Sequence, residues 1–210
     1  MRGLLFITHQ TERYTCLQSV EIALAGGCRQ LQLRMKDATP QKVAQTGIIV
    51  KQLCARYGAR LYINDHVEAC KIIRAAGVHL GKADMPPREA RQLLGDGFAI
   101  GGTANTIEDV RRLHSEGVDY IGLGPFRFTA TKKNLSPVVG LAGYRRIMEQ
   151  CRAENIALPV LAIGGITSDD IPDIMSTGVS GIALSSAILQ AQDPVMETRK
   201  ILDSFLVNSE

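Results

Sequence analysis

Polar and apolar side chains alternate from Gln32 onwards. Gln32, Arg34 and Lys36 are separated by Leu33 and Met35. In an extended strand, alternate side chains point to opposite faces, so the two cations and the amide share one face. Cations that lose water there need an anion or other acceptors in return. The pattern predicts an anion site; the alternative is that Arg34 and Lys36 emerge at a rim and pair with neighbouring carboxylates.

Two acidic residues follow two further apolar runs. Asp65 comes directly after Asn64, and Asp84 follows a short Gly-Lys-Ala segment. Two carboxylates from successive loops can share one hard cation, and Mg²⁺ suits such a pair because it takes one or two carboxylates together with substrate phosphate oxygens. The alternative is that each aspartate caps the helix that it precedes.

A hydroxyl- and lysine-containing segment lies further along the chain. It comprises Thr129, Ala130, Thr131 and Lys132. Two hydroxyls and an ammonium group among small residues could bind an oxyanion. A solvent-exposed loop of the same composition would look no different.

Small residues directly follow the last two apolar runs: Gly164-Gly165 follows the seventh, and Ser185-Ser186 follows the eighth. Glycines let a phosphate approach main-chain N–H groups closely, and helix N-termini favour anions. These positions therefore predict a second anion site. A tight turn without a ligand is the alternative for the two glycines.

The elements that must position these residues form a regular series. Eight short β-rich runs alternate with amphipathic stretches whose apolar residues recur at helical spacing. The predicted strands are residues 4–8, 30–34, 60–64, 78–80, 98–101, 120–124, 160–163 and 181–184. The predicted helices are residues 16–25, 40–57, 67–75, 87–94, 107–116, 141–154, 168–175 and 194–207.

Eight alternating units predict an α/β protein, a single (β/α)8 TIM barrel spanning residues 1–210 as one domain. An open doubly wound sheet is disfavoured because neither a dinucleotide-binding nor a Walker glycine motif occurs. In a barrel, the loops after the strand C-termini form the site. All the polar residues above follow or end predicted strands, so the fold gathers them at one rim.

The composition and charge of the chain disfavour some classes of binding partner. The 210 residues are 45% hydrophobic and 21% charged, with a net charge of +3 and scattered basic residues. This predicts neither nucleic-acid binding nor membrane association. Five cysteines and no signal peptide predict a reduced, cytoplasmic protein. A homo-oligomer is compatible with the sequence.

Two anion sites at one rim, one of them with metal ligands, suit a diphosphate substrate and a second, monophosphorylated one. Magnesium-bound diphosphate is a good leaving group. No motif places a serine or cysteine nucleophile beside a histidine. We therefore expect a transfer reaction that releases pyrophosphate.

The same residues resemble the motif series of the thiamine-phosphate synthase family, also called thiamine-phosphate pyrophosphorylase. The resemblance runs in order along the chain, and the set is specific although each motif alone is modest. The matching motifs are QLRMK at 32–36, IND at 63–65, GVHLGKAD at 77–84, YIGLGP at 120–125, TATK at 129–132 and AIGGI at 162–166.

The resemblance implies an enzyme that joins hydroxymethylpyrimidine diphosphate to a thiazole phosphate, or to its carboxylated form, with Mg²⁺ as cofactor. It implies that the pyrimidine diphosphate is held along the QLRMK segment and by Asn64, Thr103 and Lys132, with Arg34, Lys36 and Lys132 acting in catalysis. Asp65 and Asp84 would bind the metal. The implied thiazole phosphate site comprises Thr129, Ala130, Thr131, Gly164, Gly165, Ser185 and Ser186.

The chain departs from the family pattern at a few positions. Thr103 stands where the family usually has serine, and Asn105 where histidine is often found. His9 replaces a frequent aspartate, and Phe-Arg-Phe at 126–128 replaces a commoner proline-containing run. The alternatives are a thiazole tautomerase, which needs no diphosphate site, and a non-catalytic sensor of phosphorylated ligands.

Overall fold

Eight parallel strands close into a barrel in the computed structural model, which describes residues 1–128 and 137–207. Each strand pairs with its neighbours in chain order, and β1 pairs with β8. The strands are β1 (Gly3–Ile7), β2 (Gln30–Leu33), β3 (Arg60–Asn64), β4 (Gly77–Leu80), β5 (Ala99–Ala104), β6 (Tyr120–Leu123), β7 (Val160–Ile163) and β8 (Gly181–Leu184).

Helices connect successive strands and cover the outside of the barrel. They are α1 (Cys16–Ala25), α2 (Pro40–Arg56), α3 (Val67–Ile73), α4 (Pro87–Leu94), α5 (Ile107–Ser115), α6 (Gly140–Ala153), α7 (Ile171–Ser176), α8 (Ser186–Leu189) and α9 (Pro194–Val207). A single 3-10 turn, Ser168–Asp170, precedes α7. None of the described helices is both long and apolar enough to cross a membrane.

The predicted (β/α)8 barrel is confirmed, with three local differences. Strand β5 extends to Ala104, beyond the predicted end at residue 101. The predicted helix 168–175 is divided into the 3-10 turn and α7. The four-residue helix α8 was not predicted, because a single turn is too short to show a helical period.

Alternation along the strands divides the core into two layers. In β2, Leu31 and Leu33 are fully buried among the residues that face the helices, together with partly buried Met35. Gln32, on the opposite face, points into the barrel and is 2% exposed. The face assignment made from the alternation is therefore confirmed for this strand.

Aromatic and aliphatic side chains together fill the barrel interior. The rings of Tyr62 and Tyr120 meet edge to face with centroids 6.0 Å apart, and His79 lies 5.5 Å from Tyr120. A Cβ at Gly101 would come within 2.1 Å of the Tyr120 ring, so glycine makes room for this packing. The filled interior leaves the rim at the strand C-termini as the place for a ligand.

Candidate active site

Arg34 is fixed at the end of β2 by a neighbouring hydroxyl. The buried Thr8 side chain accepts a hydrogen bond from the Arg34 main-chain N–H at 2.9 Å. Burial lowers the pKa of the Arg34 guanidinium, and the nearby Asp65 and Asp37 act in the opposite direction. A half-buried cation beside carboxylates thus stands at the rim, while Lys36, two residues on, is exposed.

Asp65 and Asp84 are brought together from the ends of β3 and β4. Burial and the adjacent Asp84 carboxyl raise the pKa of the Asp65 carboxyl, Arg34 and Lys36 oppose them, and the net result is a pKa of about 7. Asp65 also has a left-handed backbone, with φ of 65°, and its N–H donates to the His79 carbonyl at 2.9 Å. A constrained backbone of this kind is typical of functional sites.

Helix capping accounts for neither carboxylate. The cap position of α3 is His66 and that of α4 is Pro86, and neither helix start has a side-chain capping bond. The Asp84 carboxylate instead accepts a hydrogen bond from the Gly81 N–H at 2.6 Å. Both acids therefore remain available for a cation.

The donor set at this rim fits Mg²⁺. The described residues contain no group of three or more histidine, cysteine or acidic side chains that could hold a metal. Mg²⁺ is nonetheless usually bound by one or two carboxylates, with substrate oxygens and water completing its coordination, and Asp65 and Asp84 provide such a pair.

The turn after β7 has a backbone conformation that favours glycine at two successive positions. Gly164 and Gly165 have φ values of 94° and 69°, which favour glycine. A Cβ at Gly164 would lie 2.7 Å from the Pro125 Cβ, and one at Gly165 would lie 2.5 Å from the Arg127 Cγ. The turn is therefore packed against the segment that follows β6, and only glycine fits at either position.

One cavity of about 100 Å³ joins this turn to Arg34. Gly164, Gly165, Ser185 and Ser186 line the cavity together with Arg34. The Ser185 hydroxyl is buried there, with no hydrogen-bond partner among the described residues. At the start of α8, the N–H groups of Ile188 and Leu189 donate to the Ser185 carbonyl, whereas those of Ser186 and Ala187 have no main-chain acceptor among the described residues. The cavity thus contains a cation and donors suited to a phosphate.

Three of the predicted pyrimidine-site residues lie at or below the rim. Gln32 and Asn64 are buried polar residues at the ends of β2 and β3. The Thr103 hydroxyl, on β5, lies 3.0 Å from the His79 Nε2. Leu33 and Met35 belong to the helix-facing side of the barrel, so their main-chain atoms, rather than their side chains, are what a ligand at the rim could contact.

The predicted residues Thr129, Ala130, Thr131 and Lys132 lie outside the described residues. Two supporting residues were not predicted from the sequence. Thr8 holds the main chain at Arg34, and its only sequence signal is its place directly after β1. Arg127 lies against the Gly164-Gly165 turn, where the sequence showed only a departure from the usual run.

Comparison with known proteins identifies relatives over almost the whole chain. The family model described as thiamine monophosphate synthase matches residues 4–188. A thiamine-phosphate synthase of Bacteroides fragilis is 59% identical over 203 residues, which cover 97% of this chain and 100% of the relative. The thiamine-phosphate synthase of Bacteroides thetaiotaomicron is 58% identical, with 97% of each chain covered.

Solved structures agree with the sequence comparison. A thiamine phosphate pyrophosphorylase from Pyrococcus furiosus superimposes with a TM-score of 0.83 at 32% identity, covering 97% of this chain and 96% of the other. A crystal structure of 3-hexulose-6-phosphate synthase has a TM-score of 0.69 at 13% identity, with 97% and 99% covered, and so is similar in fold.

Proposed function

Because the chain belongs to the thiamine monophosphate synthase family, we propose that it joins hydroxymethylpyrimidine diphosphate to a thiazole phosphate. The products are thiamine monophosphate and pyrophosphate. The observation that carries this proposal is the contact between Asp65 and Asp84 beside Arg34 and Lys36. Two acids and two cations at one rim suit a metal-bound diphosphate better than a phosphate monoester alone.

The diphosphate end is bound from β2, β3 and β4. Arg34 and Lys36 neutralise the diphosphate oxygens, and Lys132 adds a third cation. Arg34 presents several donors in a planar fork, which suits paired phosphate oxygens. Gln32, Asn64 and Thr103 bind the pyrimidine, with the main chain of Leu33 and Met35 along one side.

Asp65 and Asp84 would hold Mg²⁺, which stabilises the negative charge of the departing pyrophosphate when bound. Without a cation, burial and the neighbouring Asp84 carboxylate disfavour the ionised form of Asp65, and its pKa is raised. The cation therefore relieves a repulsion that the fold itself imposes.

The thiazole phosphate is bound in the cavity that joins the Gly164-Gly165 turn to Arg34. Main-chain N–H groups at Gly164-Gly165 and at Ser185-Ser186 bind the phosphate, and Thr129, Ala130 and Thr131 complete the site. The phosphate thus anchors the ring so that its nitrogen faces the pyrimidine methylene carbon. Proximity and orientation of this kind supply a large part of the rate enhancement in two-substrate reactions.

Bond breaking at the diphosphate precedes attack by the thiazole nitrogen in the proposed sequence. The C–O electron pair leaves with pyrophosphate, and the pyrimidine ring stabilises the resulting cation. The nitrogen lone pair then forms the C–N bond, and no proton is removed from the nitrogen. The protein therefore needs electrostatic stabilisation of the leaving group rather than a nucleophile or general base.

Pyrophosphate release tests the proposal directly. The protein is mixed with both phosphorylated substrates and Mg²⁺, and each component is omitted in turn. Release that needs all three supports a synthase. Conversion of thiazole carboxylate phosphate without the pyrimidine substrate would indicate a tautomerase, and binding without turnover would indicate a sensor.

We also propose that the enzyme works in the cytoplasm. All five cysteines are free, and four of them are buried, as expected for a chain that folds without disulfides. Exposed apolar side chains of Ile48 and Ile49 on α2 and Ile72 on α3 are compatible with a homo-oligomer. Analytical ultracentrifugation at several protein concentrations measures the oligomeric state.

A further inference from the structure

Arg127 makes three kinds of contact where the segment after β6 meets the turn after β7. Its guanidinium donates to both carboxylate oxygens of Asp170, at 2.7 Å each. The same group donates to the Gly165 carbonyl at 3.0 Å, and the Arg127 main-chain N–H donates to the Gly164 carbonyl at 3.1 Å. Its Cζ also lies 4.8 Å from the centre of the Phe126 ring.

We propose that Arg127 is a positioning residue that holds the main chain of Gly164 and Gly165 in the orientation that binds the thiazole phosphate. This inference rests on the function proposed above. It assigns Arg127 no contact with the substrate. Arg127 acts instead by fixing the orientation of two peptide groups, Gly164–Gly165 and Gly165–Ile166.

The planarity of the peptide bond connects these contacts to the phosphate. In a trans peptide, the carbonyl of one residue and the N–H of the next point in opposite directions. Both carbonyls of the glycine pair point towards Arg127. The N–H groups of Gly165 and Ile166 must therefore point away from it. Gly164, Gly165 and Ile166 all line the cavity, and we infer that these donors face the phosphate bound there.

The partners of Arg127 are themselves fixed. The Asp170 carboxylate also accepts hydrogen bonds from the Thr167 N–H and hydroxyl, both at 2.8 Å. Phe126 packs against the main core, and its ring lies 6.1 Å from that of Tyr144. Arg127 thus links the glycine turn to the capped 3-10 turn before α7 on one side and to the core on the other.

An ion pair between α5 and the C-terminal end of α6 offers a matched control. Arg111, on α5, donates to both carboxylate oxygens of Glu154 at 2.8 and 2.6 Å. The arginine side chains of the two pairs are equally exposed, 45% for Arg111 and 46% for Arg127. R111A therefore removes a similar surface ion pair without touching the glycine turn.

The test is calorimetric titration of wild type, R127A and R111A with thiazole phosphate and, separately, with the pyrimidine diphosphate and Mg²⁺. We expect R127A to raise the Kd of thiazole phosphate at least tenfold and to leave that of the pyrimidine diphosphate within twofold. R111A should change neither by more than twofold. In turnover, R127A should raise the KM for thiazole phosphate with kcat within threefold of wild type.

Two results with R127A would overturn the inference: thiazole phosphate affinity within twofold of wild type, or equal weakening of both substrates. Should R127A unfold, R127K provides the test, because a single ammonium group cannot replace the planar guanidinium fork. We then expect R127K to raise the Kd of thiazole phosphate at least threefold and to leave that of the pyrimidine diphosphate unchanged. An unchanged Kd for thiazole phosphate would contradict the inference. A wild-type protein that binds neither substrate would overturn the proposed function together with this inference.

Discussion

The carboxyl groups of Asp65 and Asp84 lie side by side at the ends of adjacent strands, and each helps to define the charge state of the site. The proximity of Asp84 and the burial of Asp65 together raise the pKa of Asp65 to about 7. A fold seldom keeps two acids in contact without a compensating group. In this site Arg34 and Lys36 compensate in part, and a divalent cation would complete the balance.

This relationship predicts the behaviour of D65N. The folded protein holds a proton on Asp65 up to about pH 7, whereas the unfolded chain releases it near the ordinary pKa of 3.8. The metal-free folded state is therefore destabilised as pH rises from about 4 to beyond 7. D65N removes this penalty. Because the site is partly solvated, we expect a gain of about 1 kcal/mol, or roughly 2–4 °C in Tm, at pH 8 without metal.

Thermal melts of wild type and D65N at pH 5 and pH 8, with EDTA or with Mg²⁺, check this prediction. The advantage of D65N should be less than half as large at pH 5 as at pH 8, and added Mg²⁺ should raise the Tm of wild type only. An equal response of both proteins to Mg²⁺ at pH 8 would show that Asp65 does not bind the metal.

The glycine turn gives a second prediction, with its own control within the chain. G165A places a Cβ at a φ of 69° and within 2.5 Å of the Arg127 Cγ. G58A has the same backbone requirement, with a φ of 62°, but its Cβ meets nothing within 4 Å. Both variants should lose about 1–2 kcal/mol of stability from the left-handed backbone.

Only G165A should weaken the binding of thiazole phosphate. We expect its KM for thiazole phosphate to rise at least tenfold, while G58A keeps the wild-type value. Steady-state kinetics at saturating pyrimidine diphosphate measure both. A normal KM for G165A would place the thiazole phosphate elsewhere.

Thr103 tests the pyrimidine site. T103V keeps the shape of the side chain but removes the hydroxyl that lies 3.0 Å from the His79 Nε2. Loss of the proposed hydrogen bond from this hydroxyl to the pyrimidine costs on the order of 1–2 kcal/mol, so we expect the KM for the pyrimidine diphosphate to rise roughly tenfold. T103S, which retains the hydroxyl, should stay within threefold of wild type; equal losses in T103S and T103V would argue against a role for the hydroxyl.

Lys132 is predicted to act on the leaving group. A preorganised donor that stabilises developing charge can contribute about 3–4 kcal/mol to lowering the barrier. K132A should therefore lower kcat by roughly 100- to 1000-fold with little change in Tm, whereas K133A, at the next position, should remain within threefold. Near-normal turnover of K132A would refute the role.

The sequence was sufficient for the architecture because its signals are repetitive. Eight apolar runs alternate with helical periods, and the confirmed strand and helix bounds mostly agree to within one or two residues. Strand β5 was the main exception. Its Gly101, Gly102 and Thr103 lack the apolar pattern that marks a buried strand, so its C-terminal half could not be recognised.

Site geometry was predictable only where strand order determines it. Asp65 and Asp84 follow neighbouring strands, and parallel neighbours end at the same rim. The contact of Arg127 with Asp170 joins residues 43 positions apart through two irregular segments. No periodic signal specifies such a contact, because it depends on turn conformations and not on the face of a strand.

Magnesium-dependent binding of inorganic pyrophosphate is the most direct test of the diphosphate site at Asp65 and Asp84. Calorimetric titration at pH 8 compares wild type with D65N and with D84N, each with and without Mg²⁺. We predict that wild type binds pyrophosphate tightly only with Mg²⁺ and that both variants lose at least tenfold in affinity. Equal binding by all three proteins, or binding by wild type that Mg²⁺ leaves unchanged, would contradict the account.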